Sequence, residues 1–154
     1  MEQIPRLLPE IPLPEIKYIP GQGKHPEKFE SMDFIKSIAD LNKRIQQSYL
    51  YGWDLANHGF NWEAHEAWEL TWNDWQKTSK KAKVVQGLIF MTASCLKMTS
   101  KQEKSSEKLA NKANILLFAD LKTCKNLGFI PEKWLKSWDF TKPWPICTLM
   151  PTCF

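Results

Sequence analysis

Prolines are confined to the two ends of the chain, and this distribution limits where helices can form. Six of the ten prolines precede residue 27, and four follow residue 130. Proline fixes φ and lacks a backbone N–H, so it rarely occupies a helix interior. Between Ser31 and Gly128, apolar residues recur at spacings of three and four, without strand-like alternation or internal repeats. This pattern predicts an all-α fold, a compact multi-helix bundle of about five helices.

Capping residues, glycines and prolines indicate where the predicted helices begin and end. We predict helices over residues 31–59, 62–76, 79–97 and 105–126, and a short fifth helix from residue 131. Asn61 and Ser79 are the predicted N-caps of the second and third helices, and Pro131 suits the first turn of the fifth. The three prolines that follow favour a non-helical tail.

The first thirty residues are predicted to form an extended arm. Prolines at this density favour a polyproline-like conformation. The segment is also too apolar for a free linker, because large apolar side chains recur before Pro20, among them Leu7, Leu8, Ile11, Leu13, Ile16, Tyr18 and Ile19. A chain of 154 residues is about one domain long. We therefore expect an arm over residues 1–30 packed on the body, a helical domain over 31–128, and a short helix with an irregular tail over 129–154.

Composition argues against several classes of protein. With 43% apolar and 25% charged residues, the chain resembles a soluble globular protein rather than a disordered or membrane-spanning one. The residues from Met1 to Pro5 lack the charged-then-apolar order of a signal peptide, so a cytoplasmic location is expected. Four cysteines without CxxC spacing are expected to be reduced thiols, at Cys95, Cys124, Cys147 and Cys153.

The net charge of +4 is small for a dedicated nucleic-acid-binding protein. Four lysines cluster between the second and third predicted helices, at Lys77, Lys80, Lys81 and Lys83. Such a cluster is typical of a solvated surface, although RNA binding by these lysines with exposed tryptophans is an alternative. Nucleic acids and membranes are therefore not the expected partners, the true partner is unknown, and a homo-oligomer stays open.

The second predicted helix concentrates ionisable and aromatic side chains in the run NWEAHEAWELTWNDWQ. At about 100° per residue, one broad face holds Trp62, His65, Glu66, Glu69, Trp72, Asn73 and Gln76. Four tryptophans on one helix imply burial on more than one side, so some of these ionisable groups need partners. Glu63 lies near the positive end of the helix, which favours a carboxylate there.

Partners for these carboxylates are expected on the third helix. The short connection should place the two helices side by side and antiparallel. We predict that Glu66 or Glu69 contacts Gln86 or Lys97. The predicted polar cluster comprises Glu63, His65, Glu66, Glu69, Trp72, Gln86 and Lys97. It is interpreted as a polar network joining two helices, as a ligand or catalytic cleft, or as a metal site.

A metal site is the interpretation with the least support. His65 and Glu69 are one helical turn apart and could share a cation, but the second histidine of an HExxH zinc motif is missing. Lys97 would also place a positive charge near the carboxylates. His25 and His58 would make a metal or proton-transfer site plausible only if the fold brought them to His65. We therefore expect no tightly bound metal and no cofactor.

Several motifs resemble those of a known bacterial family. They are the run from Leu50 to Leu55, the run from Asn57 to Glu69 with Trp72, and the QGLI sequence at 86–89. Together they resemble domain of unknown function 309, and the segment 14–21 with His25-Pro26 resembles the arm of its longer members. The resemblance covers about residues 12–120 and implies a small all-helical domain without an established activity. It also places Lys97 where shorter members carry histidine, whereas Trp138 to Phe154 match nothing in the family.

Two functions are compatible with these sequence features. The first is a binding or interaction module whose polar cluster lies between two helices. The second is a small hydrolase- or isomerase-type enzyme, with or without a metal, in which Glu66 or Glu69 is the general base and His65 is an acid or ligand.

Overall fold

The computed structural model describes residues 4–131, and within them the chain is helical, as predicted. The six helices are α1 (Glu30–Lys36), α2 (Leu41–Asn57), α3 (Asn61–Asp74), α4 (Lys80–Thr99), α5 (Glu103–Phe118) and α6 (Leu121–Asn126). Helices α2, α3, α4 and α5 pack successively against one another. The all-α prediction is confirmed, and the predicted fifth helix and the tail after it lie outside the described residues.

Two predicted helices are divided in the structure, and a capping aspartate explains each division. Asp40 has an extended backbone and its carboxylate accepts a hydrogen bond from Lys43 N at 2.7 Å, so α2 begins anew after α1. Asp120 accepts from Thr123 N at 3.1 Å and starts α6 after α5. An aspartate at such a position satisfies backbone N–H groups that a continuous helix would pair internally. The apolar period runs across both breaks, which is why periodicity alone predicted single helices.

The predicted N-caps have different outcomes. Ser79 is the N-cap of α4, and its hydroxyl accepts from Ala82 N at 3.2 Å. Asn61 is not a cap, because the cap position of α3 is occupied by Phe60 and Asn61 is the first helical residue. Glu63 is therefore the third residue of α3, where the positive end of the helix favours its carboxylate.

Helix α2 is the centre of the bundle. Every residue from Ser48 to Asn57 is buried, so neighbouring elements surround this half of the helix. Trp68 of α3 packs edge-on against Trp53 with ring centroids 5.2 Å apart, and its indole N–H donates to Tyr49 O at 3.1 Å. A Cβ added at Gly52 would lie 2.2 Å from Trp68 Nε1. Glycine at this position therefore makes room for the indole.

The segment before α1 contacts the bundle through apolar and polar groups. Leu8 and Ile11 are buried in the same core as α2 and α3. Asp54 of α2 accepts hydrogen bonds from Leu7 N at 2.7 Å and Leu8 N at 2.9 Å, and Arg6 Nε lies 3.0 Å from Asp54 Oδ2. The division of the chain at residues 30 and 128 stays a prediction.

Two of the cysteines lie within the described residues. Cys95 and Cys124 are buried free thiols, and burial raises the pKa of each to about 12. Cys147 and Cys153 lie outside the described residues. Each helix within residues 4–131 is too short or too polar to cross a bilayer.

Candidate functional site

The predicted polar cluster separates into distinct groups around α3. Glu63 contacts the segment before α1, whereas His65 and Glu69 lie on the side that meets α4. Lys97 contacts Gln102 at 3.5 Å, just before α5. Within residues 4–131, no hydrogen bond or ion pair joins Glu66 or Glu69 to Gln86 or Lys97. The predicted hydrogen bond or ion pair between Glu66 or Glu69 and Gln86 or Lys97 is therefore wrong.

The register of α3 on α4 explains why Lys97 does not reach Glu66 or Glu69. His65 Nδ1 lies 3.0 Å from Thr92 Oγ1, which makes these residues level across the two helices. In an antiparallel pair with this register, Lys97 is level with Phe60, six residues from Glu66. At about 1.5 Å per residue, the offset is roughly 9 Å along the helix axis. In addition, the buried stripe of α3 consists of Glu63, Ala64, Ala67, Trp68 and Thr71, so Glu66 lies at its half-exposed edge.

Glu63 is the buried carboxylate of α3, with a relative exposure of 2%. Tyr18 N donates to Oε1 at 2.8 Å, whereas Oε2 is buried without a hydrogen-bond partner among the described residues. Burial raises the pKa of Glu63, while the backbone N–H groups of Tyr18 and Glu63 and the charge of Lys17 act in the opposite direction. The effect of desolvation on the pKa is larger than these opposing effects. Only one of the two carboxyl oxygens has a hydrogen-bond partner among the described residues.

A cavity of about 480 Å³ lies between this carboxyl group and the segment before α1. We call it the arm cavity, and it is lined by Pro12, Leu13, Pro14, Glu15, Ile16, Pro26, Lys28, Phe29, Glu30, Ser31, Trp62 and Glu63. Trp62 is held by edge-on contacts with Tyr18 and His25, at centroid distances of 4.9 and 5.0 Å. The cavity therefore combines aromatic, apolar and carboxyl groups from two parts of the fold.

His65 and Glu69 form a second arrangement on α3. Glu69 Oε1 lies 3.2 Å from His65 Nε2, and the Glu69 side chain is 45% exposed. Thr92 donates its hydroxyl proton to Ile89 O at 2.6 Å, so His65 Nδ1 is assigned as the donor to Thr92 Oγ1. The imidazole is thus oriented by groups on both helices.

Trp72 and the lysine cluster meet at the other end of α3. Lys77 Nζ lies 4.7 Å from the centre of the Trp72 ring, and Lys81 Nζ lies 5.3 Å from that of Trp75. Such cation–π contacts stabilise a surface by about 0.5–1 kcal/mol each. Both rings are half-buried beneath the lysines. This arrangement is consistent with the predicted solvated surface.

The other two histidines have contacts of their own. His25 packs on Trp62, and His58 Nδ1 lies 2.7 Å from the backbone O of Asp54. In the part of the chain that the structure describes, no group of three or more His, Cys, Asp or Glu side chains could hold a metal ion.

Sequence reasoning missed Asp54, Tyr18 and Thr92. Asp54 was detectable, because a carboxylate inside the apolar run from Leu50 to Leu55 is expected to be buried and to need partners. Tyr18 contributes a backbone N–H, which carries no sequence signal. Thr92 depends on the register of α3 against α4.

Comparison with known proteins supports the family resemblance. Residues 49–109 match the model of a family described as domain of unknown function (DUF309). The matched segment runs from α2 into α5 and includes Asp54, Glu63, His65 and Thr92. No curated protein and no solved structure matches the chain. Over residues 49–109, the chain is therefore similar to the DUF309 family.

Proposed function

We propose that this protein is a binding module and that the arm cavity is its ligand site. The observation that carries the proposal is the arm cavity itself, a space of about 480 Å³ whose lining joins Trp62 and Glu63 of α3 to apolar residues of the segment before α1.

The size and composition of the arm cavity support the same proposal. Small-molecule sites typically measure about 300–1,000 Å³ and combine a mainly apolar wall with a few polar groups. The arm cavity, at about 480 Å³, lies within this range. Leu13, Ile16, Phe29 and three prolines supply its apolar surface.

Nuclear magnetic resonance spectra of the ¹⁵N-labelled full chain test this proposal. Pools of small cationic, neutral and anionic compounds are added, and the Trp62 indole N–H and the Tyr18 amide are followed. We expect at least one compound to shift both signals saturably while the indole of Trp75 stays in place. The proposal is wrong if compounds bind only outside the arm cavity, or if none of the compounds binds.

The second candidate function is the small enzyme of hydrolase or isomerase type. It is favoured by the 3.2 Å contact between His65 and Glu69 and by the orientation of the imidazole against Thr92. Neither His65 nor Glu69 lines the arm cavity, which places the binding module first. If His65→Gln and Glu69→Gln each abolish turnover of a model ester while the fold is retained, the enzyme takes precedence. If both leave turnover at the uncatalysed rate seen without protein, the pair has a structural role.

A further inference from the structure

The first turns of α2, α4 and α6 lie at one end of the bundle. Lys43 of α2 and Lys81 of α4 line the same surface depression. Hydrogen bonds from Thr123 lower the pKa of Asp120, which caps α6, and the charge of Lys80 lowers it further, so the starts of α4 and α6 are close together. This end of the bundle is therefore built from three stretches that are far apart in sequence: residues 34–44, 74–83 and 115–122.

Positive charge predominates at this end of the bundle. Its exposed or half-exposed lysines include Lys43, Lys77, Lys80, Lys81, Lys83 and Lys122. The carboxylates in the same stretches are those of Asp40, Asp74 and Asp120. Asp74 pairs with Arg44 at 2.7 Å, and the other two cap α2 and α6. A concentration of positive charge attracts anionic partners, and we call this region the basic end.

Exposed apolar side chains gather at the basic end as well. Of the large apolar side chains that are exposed within residues 4–131, all but Ile16 belong to it. They are 37–71% exposed, and comprise Phe34, Leu41, Ile115, Phe118 and Leu121. In addition, the half-buried rings of Trp72 and Trp75 lie beneath two of the lysines. Single apolar residues are normal on a protein surface, whereas a concentration of them marks an interaction site.

This combination of side chains suits the surface of an anionic membrane. Ammonium groups are attracted to anionic headgroups, apolar side chains enter the boundary with the acyl chains, and tryptophan prefers this boundary. Nucleic acid would use the lysines and aromatic rings but not aliphatic side chains such as those of Leu41 and Ile115. Attachment of this kind requires no membrane-spanning segment.

We propose that the basic end binds anionic lipid membranes, with its lysines at the headgroups and its exposed apolar side chains at the boundary with the acyl chains. The sequence alone does not indicate such a partner, because these side chains lie in separate segments of the chain. The inference goes beyond the proposed function and does not depend on it. The arm cavity adjoins Trp62 at the start of α3, whereas the basic end adjoins the end of that helix.

Flotation of the full chain with unilamellar vesicles tests this inference. One set of vesicles contains equal parts of phosphatidylserine and phosphatidylcholine, and the other contains phosphatidylcholine alone. At physiological salt, we expect the protein to bind the mixed vesicles at least tenfold more tightly than the neutral ones, and to bind them less tightly at high salt. Binding to neither set, or equal binding to both, would overturn the inference.

Two pairs of lysine variants locate the effect of charge. Lys80→Gln with Lys83→Gln removes two exposed charges from the basic end and should weaken binding to mixed vesicles about tenfold or more. Lys101→Gln with Lys104→Gln makes the same change where α4 meets α5, at the opposite end of α4. This control pair should change binding less than about twofold, because salt screens charges beyond about 10 Å. Equal losses in both pairs would mean that net charge, rather than the basic end, causes binding.

A further pair of variants tests the apolar contribution. Leu41→Ser with Leu121→Ser leaves the charge unchanged, and both side chains are exposed, so the fold should be retained. We expect binding to mixed vesicles to weaken at least fivefold. Ile16→Ser is the matched control, because Ile16 is 82% exposed but lies outside the basic end, and it should change binding less than about twofold. Full binding by the Leu41→Ser, Leu121→Ser protein would contradict the inference.

A single-stranded RNA oligonucleotide distinguishes a lipid-binding surface from a nucleic-acid-binding one. We expect RNA to bind more weakly than the mixed vesicles do. If RNA binds more tightly and the loss of Leu41 and Leu121 leaves vesicle binding unchanged, the basic end is a nucleic-acid-binding surface and the inference is wrong. Neither outcome bears on the arm cavity, whose ligands are detected at Trp62 and Tyr18.

Discussion

Asp54 and Glu63 are two buried carboxyl groups that bind the same segment of chain. They differ in how many of their oxygens have hydrogen-bond partners. Asp54 is fully buried and both of its oxygens accept backbone N–H groups, those of Leu7 and Leu8, with Arg6 beside them. Glu63 is nearly as buried, yet one of its oxygens binds Tyr18 N and the other has no partner within residues 4–131.

The difference shows how a carboxylate with a purely structural role can be distinguished from one that has an unused hydrogen-bond acceptor. A buried charge is stable only when hydrogen bonds and counter-charges replace the lost water. At Asp54 the protein supplies all of these groups from its own chain. At Glu63 it supplies a hydrogen bond to Oε1, whereas Oε2 has no hydrogen-bond partner within residues 4–131. We therefore expect substitutions at Asp54 to act on stability and substitutions at Glu63 to act on binding.

The largest effect is expected for Asp54→Asn. The asparagine amide has one acceptor oxygen, so its NH₂ group faces the backbone N–H of Leu7 or Leu8, and two donors then oppose each other. Arg6 also loses its counter-charge. Breaking such a buried pair costs about 3 kcal/mol of unfolding free energy. Urea denaturation followed by circular dichroism measures this loss.

Asp40→Asn is the matched control, because asparagine caps a helix as well as aspartate does and Asp40 is exposed. A loss below about 1 kcal/mol at Asp54 would remove the contrast with Glu63.

A smaller effect is expected for Arg6→Gln. Arg6 pairs with Asp54 and donates through Nη2 to Leu8 O at 2.9 Å, but its side chain is 20% exposed. Water can replace part of these interactions, so we expect a loss of about 1 kcal/mol. The loss should be smaller in an Asp54→Asn background, since the two changes break the same ion pair, and the remainder reflects the hydrogen bonds from Arg6 to Leu8 O and Ile11 O. Additive losses in a double-mutant cycle would show that Arg6 stabilises the segment independently of Asp54.

The sequence predicted the helices better than it predicted how their side chains combine. Periodicity identified the segments that became α2, α3 and α4, because apolar spacing records which face of a helix is buried. It missed the breaks at Asp40 and Asp120, where a polar cap interrupts a helix without interrupting the apolar period. Local hydrogen bonds of this kind compete with helix continuation.

The candidate site shows a similar limit. The predicted polar cluster included both Glu63 and His65. Residues two apart on a helix do not share a face, and here Glu63 meets the segment before α1 while His65 meets Thr92. The partner of Glu63 is a backbone N–H contributed from 45 residues earlier in the chain. Such a partner depends on the folded path of the chain rather than on residue type.

The smallest effect concerns the pH dependence of stability at Glu63. Its pKa is raised in the folded protein, so between the unfolded value of 4.5 and the folded value the native state binds more protons than the unfolded state. Stability then falls as pH rises through this window, and the cost of the buried charge is complete above it. Groups near Glu63 that also contribute charge or titrate are Glu15, Lys17, Lys28, Glu30, Tyr51 and Asp54.

Glu63→Gln removes this cost and leaves those neighbouring residues in the sequence. The unfolding free energy of the variant minus that of the unaltered protein should therefore be larger at pH 7 than at pH 4. This expectation does not depend on the value of the difference at pH 4. Urea denaturation of both proteins at the two pH values measures the change. An opposite sign would mean that the charged form of Glu63 is stabilised in the fold. Its second oxygen would then already have a partner, and the contrast with Asp54 would disappear.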